Sequence, residues 1–322
     1  MKLIRRLYFP LFVLVLTVAV TSCDDDDKLP KAQTEITGQD NTNNTNRNPV
    51  GSNPEYGRLE FPHISNDPTS VVLIRRTPEF GINYTIEYDT KKRSQRWTCW
   101  QWYKGNSGTA WNRNNWDYET DNKWAMLNMA THGWGDPFQP DPDLSVGVRT
   151  ELEEYNNIAF QRGHICASAD RLNSKDANEQ TFYLSNIMPQ SAALNTGIWQ
   201  EMENKVQSWG KDNSFRRVLY VVKGGTIDDA NIRTITPTGL VVPKYFFMAL
   251  LCEDNSGEYK ALAFWVEHTT QNMKGTPLGN FVINIRELER RTGIDFFCNL
   301  PDEKENEVET ASVSNIKSAW KL

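Results

Sequence analysis

The sequence predicts an α+β fold, and three observations carry that expectation. Strand-like runs rich in Val, Ile, Tyr, Phe and Trp recur after about residue 58, bounded by Gly, Asn, Asp or Pro. Helical patterns accompany them at only two places and do not alternate regularly with the strands, which disfavours a doubly wound parallel sheet. The chain of 322 residues is 39% hydrophobic and 11% aromatic, with eleven tryptophans, enough to fill a large core.

The first segment is a targeting sequence. In "MKLIRRLYFPLFVLVLTVAVTSC" the basic residues Lys2, Arg5 and Arg6 precede an apolar run from Leu7 to Val20, and small residues lead into Cys23. This is a signal-peptide layout for residues 1–22, and the ending Val20-Thr21-Ser22-Cys23 resembles a bacterial lipobox, with Cys23 as the lipidation site. The mature chain is therefore expected to be exported and held to a membrane by its N-terminal lipid alone. The acidic run Asp24–Asp27 resembles a surface-export signal of outer-membrane lipoproteins. Residues 23–57, rich in Asn, Thr, Pro and Gly, carry too few apolar groups to offset their ordering entropy and read as a disordered tether.

The folded domain is expected over residues 58–322. Its strand candidates are Ser70–Ile74, Asn83–Asp89, Arg96–Tyr103, Arg217–Gly225, Val241–Leu251 and Lys260–Glu267, and its helix candidates are Leu194–Trp209 and Asn284–Gly293. Between Lys104 and Tyr155 the chain is polar, aromatic and irregular, as long surface loops are. The formal charge of −6 gives no global sign of a polyanion partner, yet leaves room for a local basic cleft.

A chemically loaded stretch follows. "FQRGHICASADR" (Phe160–Arg171) sets Arg162 and His164 around Gly163, a tripeptide that by itself reads as a strand end or turn. Next comes "TFYLSNIMPQ" (Thr181–Gln190), a strand ending at a proline, and then "SAALNTGIWQEMENKV" (Ser191–Val206), an amphipathic helix. Leu194, Ile198, Met202 and Val206 repeat at helical spacing and form its buried stripe, while Asn195, Trp199 and Glu203 run along a neighbouring face. Glu203 lies eight residues after Asn195, about 12 Å along an ideal helix axis.

The ordered series "QRGH", "FYLSNIMPQ" and "LNTGIWQEME" resembles the DNA/RNA non-specific endonuclease family, whose hallmark is an Asp-Arg-Gly-His motif, over roughly residues 59–310. The resemblance implies a ββα-metal nuclease core with a mainly antiparallel central sheet flanked by helices. It implies Mg²⁺ as cofactor, with Mn²⁺ as a substitute, and DNA and RNA as substrates cut to 5′-phosphate ends. His164 is then the general base, a role suited to an imidazole titrating near neutrality. Asn195 is the single direct metal ligand, and Glu203 holds metal-bound water. Arg162 neutralises transition-state charge with a bidentate fork. Arg113 matches the family's upstream arginine, and Asn186 and Arg171 are candidate substrate contacts, with Lys175 as a further cleft cation. Plainer roles stand beside these: Asn195 as a helix cap, Glu203 as a solvated charge, Asn186 as a partner for backbone groups.

The motif's leading Asp is Gln161 here, which removes a carboxylate that braces the loop in the family pattern. Apart from Cys23 the chain has Cys99, Cys166, Cys252 and Cys298. In an oxidising compartment an even count favours disulfides, with three connectivities open. Cys99–Cys166 and Cys252–Cys298 are the pairings that would pin the catalytic strand and the C-terminal element. Zinc at His164, Cys166 and Cys99 lacks the paired-cysteine spacing such sites use. Two other readings of the whole chain are a catalytically inactive nucleic-acid-binding lipoprotein and a surface adhesin or scaffold.

Overall fold

The structure, a computed structural model, describes residues 44–116 and 137–322. The signal peptide, Cys23, most of the tether and His132 lie outside the described residues. In chain order the strands are β1 (Ser70–Thr77), β2 (Gly81–Asp89), β3 (Ser94–Trp102), β4 (Gln161–His164), β5 (Ile187–Gln190), β6 (Val218–Gly225), β7 (Ile232–Ile235), β8 (Val241–Pro243), β9 (Tyr245–Glu253), β10 (Tyr259–Glu267) and β11 (Val282–Ile283). The helices are α1 (Lys175–Gln180), α2 (Trp199–Lys211), α3 (Ile285–Thr292), α4 (Asp302–Glu309) and α5 (Val313–Trp320). Among the described residues no helix is long and apolar enough to cross a membrane.

Seven strands form one antiparallel sheet in the order β1-β2-β3-β6-β9-β10-β11, as the α+β expectation required. Both faces are covered, and the pleat sorts side chains between them by parity. On one face Leu219, Val221, Met248, Leu250, Leu262 and Phe264 meet the stripe Leu194, Ile198, Met202 and Val206. On the other face Val218, Tyr220, Val222, Phe247, Ala249 and Ala263 meet Ile285 and Leu288 of α3 and Val308 of α4. All four residues of the stripe are fully buried, each worth about 1.5–3 kcal/mol of hydrophobic stabilisation.

Three expected elements differ in detail. The run from Val241 divides at Lys244, because β8 pairs with β7 while β9 pairs with β6 and β10. The helix from Leu194 is not continuous: Leu194–Ile198 is a π-turn with a kink at Gly197 (φ −109°, ψ −120°), and regular α-helix starts at Trp199. The folded part also begins before the compositional shift. Asn44 donates to Cys298 O at 3.0 Å, and Asn48 donates to Pro62 O at 2.9 Å. The side chains of these asparagines replace the apolar anchors that the segment lacks. By contrast α3 has the ends its sequence encodes, with the Asn284 side chain accepting from Glu287 N (2.9 Å) and Gly293 following at φ +68°.

The expected disulfides are absent: Cys99, Cys166, Cys252 and Cys298 are all free and buried. Strand parity explains why. Cys99 packs on the sheet face of Trp97 and Val222, whereas Cys166 belongs to the opposite face. Cys252 shares that opposite face, while Cys298 Sγ contacts Phe61 O on the other side. The sheet thus separates the partners of both pairs. Burial pushes the Cys166 and Cys252 thiols up to about 12, which keeps them protonated and unreactive.

Candidate active site

The antiparallel ribbon β4–β5, the π-turn and α2 make a ββα unit packed on the sheet, and one cleft opens along it. In the ribbon Arg162 faces Pro189, Gly163 faces Met188 and His164 faces Ile187. Of the strand end and the turn that the tripeptide allows, the structure has the strand end. Gly163 lies within β4, and a Cβ there would come within 2.3 Å of the fully buried Gln190 side chain. The small residue is needed for close packing between two functional neighbours.

The cleft, about 490 Å³, is lined by Arg113, Phe138, Tyr155, Phe160, Gln161, Arg162, His164, Ala167, Ser168, Asn195, Thr196, Gln200 and Glu203. Five residues anticipated from sequence therefore converge: Arg113, Arg162, His164, Asn195 and Glu203. The His164 ring sits between Phe138 (centroids 5.2 Å) and Phe182 (5.1 Å). Arg162 lies 4.1 Å over the Phe138 ring and Arg113 lies 5.0 Å over Phe182. Two guanidinium groups and two aromatic rings thus flank one imidazole.

That setting changes the acid–base character of His164. Burial, followed by the charges of Arg113, Arg162 and Lys223, pushes its pKa down to about 3. The imidazole does not titrate near neutrality in the substrate-free protein; it is held neutral, the form a base requires. Its Nε2 is buried with no hydrogen-bond partner among the described residues.

Asn195 is placed by Gln161. Its Nδ2 donates to Gln161 Oε1 at 2.9 Å, so the residue that replaces the motif's aspartate orients the amide. The turn carrying Asn195 is fastened from below. Asn195 N donates to Ser191 O (2.9 Å), and Ser191 N donates to His268 Nε2 (2.7 Å), while His268 Nδ1 meets Pro243 O at 2.8 Å. His268 is thus a satisfied core histidine.

Glu203 meets a partner that the sequence reading missed. Lys223 on β6, fully buried, places Nζ 3.3 Å from Glu203 Oε1 and 3.5 Å from Asp170 Oδ2, beneath the Trp100 and Trp199 rings at 5.0 and 5.8 Å. Burial raises the Glu203 carboxyl to about 7, with Lys223 opposing that rise and Asp170 adding to it. Burial alone would lower the Lys223 pKa, but Asp170 and Glu203 outweigh it and keep the ammonium charged. The signal for Lys223 was present: parity puts it on the inward face with Leu219 and Val221.

Three anticipated contacts do not reach the cleft. Asn186 is fully buried; it accepts from Cys166 N (2.9 Å) and donates to Cys166 O and Thr181 O (2.8 Å each). It satisfies backbone groups behind the ribbon. Arg171 is buried beside Trp100 and Trp102, 5.5 and 5.2 Å from their rings, and donates to Gln101 O. Lys175 covers Trp111 and Trp116.

Similarity to known proteins agrees with this geometry. The model of the DNA/RNA non-specific endonuclease family matches residues 72–303. Nuclease C1 of Cunninghamella echinulata var. echinulata is 29% identical over 51% of this chain and 67% of its own length. A nuclease of Nostoc sp. is 24% identical over 77% of this chain and 84% of its own. For human mitochondrial endonuclease G the values are 27%, 51% and 57%. A solved structure described as the EndoG/EndoGI complex superposes with a TM-score of 0.57 at 20% identity, covering 72% of this chain and 88% of that one, and shares the fold. With a matching family model over most of the chain and a ββα unit on an antiparallel sheet, the chain belongs to the DNA/RNA non-specific endonuclease family and is a hydrolase of the nuclease class.

Proposed function

We propose that the protein is an exported, lipid-anchored endonuclease that uses a divalent metal, Mg²⁺ first and Mn²⁺ as a substitute, to cut DNA and RNA to 5′-phosphate ends. The observation that carries this reading is the convergence of His164, Arg162, Arg113, Asn195 and Glu203 on one cleft. The donor set fits a hard cation that keeps most of its water: an amide oxygen from Asn195, with the Glu203 carboxylate on the same cleft wall. Asn195 and Glu203 would hold such an ion, and it would supply neutralisation of charge on the reacting phosphate.

The chain's own groups do the rest. Neutral His164 accepts a proton from the attacking water; since Nε2 is sealed away, Nδ1 is the nitrogen left for that task. Arg162 and Arg113, each backed by an aromatic ring, present fixed positive charge to the pentacoordinate phosphorus. Glu203, held by Lys223, accepts hydrogen bonds from ordered water. Breaking the P–O3′ bond releases the 3′-oxygen, which takes up a proton to become a 3′-hydroxyl, and leaves the phosphate on the 5′-oxygen of the other fragment. Contacts directed at phosphates rather than bases account for cutting with weak sequence preference.

The test is incubation of the mature protein with supercoiled plasmid and with RNA, in magnesium and in EDTA. Metal-dependent cutting of both substrates to 5′-phosphorylated products is expected, and intact nucleic acid from folded protein across several metals would overturn the proposal. Anchoring through Cys23 is checked by detergent-phase partition of the full chain, which Cys23→Ala should abolish.

A further inference from the structure

A second cluster of charged groups lies across the sheet from the cleft. Oxygen atoms of Glu289 (α3), Asp295 and Glu309 (α4) lie within 4.8 Å of one another. Glu305 is tied to the same group through Asn46, whose Nδ2 donates to Asp295 Oδ2 (3.0 Å) and Glu305 Oε1 (2.8 Å). Among the described residues these carboxylates are ion-paired by Arg286, 3.3 Å from Glu289 and 2.9 Å from Glu309 with its side chain about half exposed, and His63 lies near Asp295. One backbone donor, Phe296 N, reaches Glu289 Oε1 at 3.0 Å.

Glu309 is the telling member. It is fully buried; Oε2 is ion-paired with Arg286 at 2.9 Å, whereas Oε1 has no hydrogen-bond partner among the described residues. Asn46 Oδ1, buried at the edge of the cluster, is also without a partner. A buried carboxyl group with one oxygen unpaired is destabilising as an anion unless it takes up a proton or a cation, and burial together with Glu289 and Glu305 pushes Glu309 up to about 9. Ligands on opposite sides of a calcium ion stand about 4.6–5.2 Å apart, so one ion can bridge this set.

We propose that Glu289, Asp295 and Glu309, with Glu305 and Asn46 beside them, bind a calcium ion that clamps the N-terminal segment onto α3 and α4. Several carboxylates from irregularly placed elements suit calcium, which accepts variable geometry, better than magnesium, which demands a near-octahedral shell. The sheet separates this site from the cleft, since α3 and α4 pack on the face opposite the catalytic helix. Its role is structural: it fixes the point where the tether joins the domain.

The experiment is calorimetric titration of the metal-stripped mature protein with CaCl₂, alongside thermal melts in calcium and in EDTA. Asn195→Ala and Glu309→Gln are run in parallel. Calcium is expected to bind wild type and Asn195→Ala alike and to raise their melting temperature by on the order of 5 °C. Glu309→Gln should weaken binding at least tenfold while leaving magnesium-dependent cutting unchanged. Should that variant fail to fold, Glu289→Gln serves in its place, and the wild-type titration decides independently. No calcium heat and no shift in melting at millimolar calcium would show that the cluster is neutralised by protons instead, and the proposal fails.

Discussion

Replacing Lys223 with Met removes the one cation between Asp170 and Glu203 while keeping most of the side-chain volume. At 3.3 and 3.5 Å, each ion pair is worth about 5 kcal/mol of gross Coulomb energy at an effective dielectric of about 20. Most of that offsets the desolvation of three buried groups. What remains on deletion is the cost of stranding two carboxylates, about 3–5 kcal/mol for a broken buried network. The expected result is a fall in melting temperature of roughly 10 °C. Glu203, already raised to about 7 with the lysine present, is driven further toward its protonated form, so cutting in magnesium should drop about 10–100-fold. Urea denaturation and plasmid cleavage measure the two effects. Adding Asp170→Asn should return part of the lost stability, because one stranded charge is gone. A Lys223→Met protein within about 0.5 kcal/mol of wild type would refute the reasoning, since the lysine would then be holding nothing.

Other residues yield equally direct expectations. Gly163→Ala forces a Cβ against Gln190 and should cost about 1–3 kcal/mol, with a larger relative loss of activity because Arg162 and His164 flank it; urea midpoints and turnover check both. Burial lowers the His268 pKa from 6.5 to about 4, so the native state binds fewer protons than the unfolded chain between those values. Its contribution, about 3 kcal/mol, is complete above pH 6.5 and is lost as pH falls toward 4. His268→Gln should flatten that part of the stability–pH curve, and an unchanged curve would count against the assignment. With all four domain cysteines free, reducing agent should leave the melting temperature unchanged, and thiol titration in denaturant should find all four without prior reduction.

Much of the site was legible because its chemistry is local in sequence. The stripe Leu194, Ile198, Met202 and Val206 told which side of the helix faces the core, and that placed Asn195 and Glu203 toward the cleft despite the π-turn between them. What could not be read depends on which strand faces lie together. Cys99 and Cys166 are plausible partners until the parity of β3 sends Cys99 to the far side of the sheet. Arg171 looks like a surface cation until Trp100 and Trp102 close over it. Phe138 reaches His164 from a segment with no regular pattern, so only tertiary packing reveals it as a wall of the site.

The most direct test of the account is the cleavage rate of His164→Ala at saturating magnesium, on protein whose near-ultraviolet circular dichroism and melting match wild type. Removing a general base predicts a loss of about 10²–10⁴-fold on plasmid and RNA alike. A folded variant that cuts within tenfold of wild type would contradict the assignment of His164, and with it the reading of the cleft as the catalytic centre.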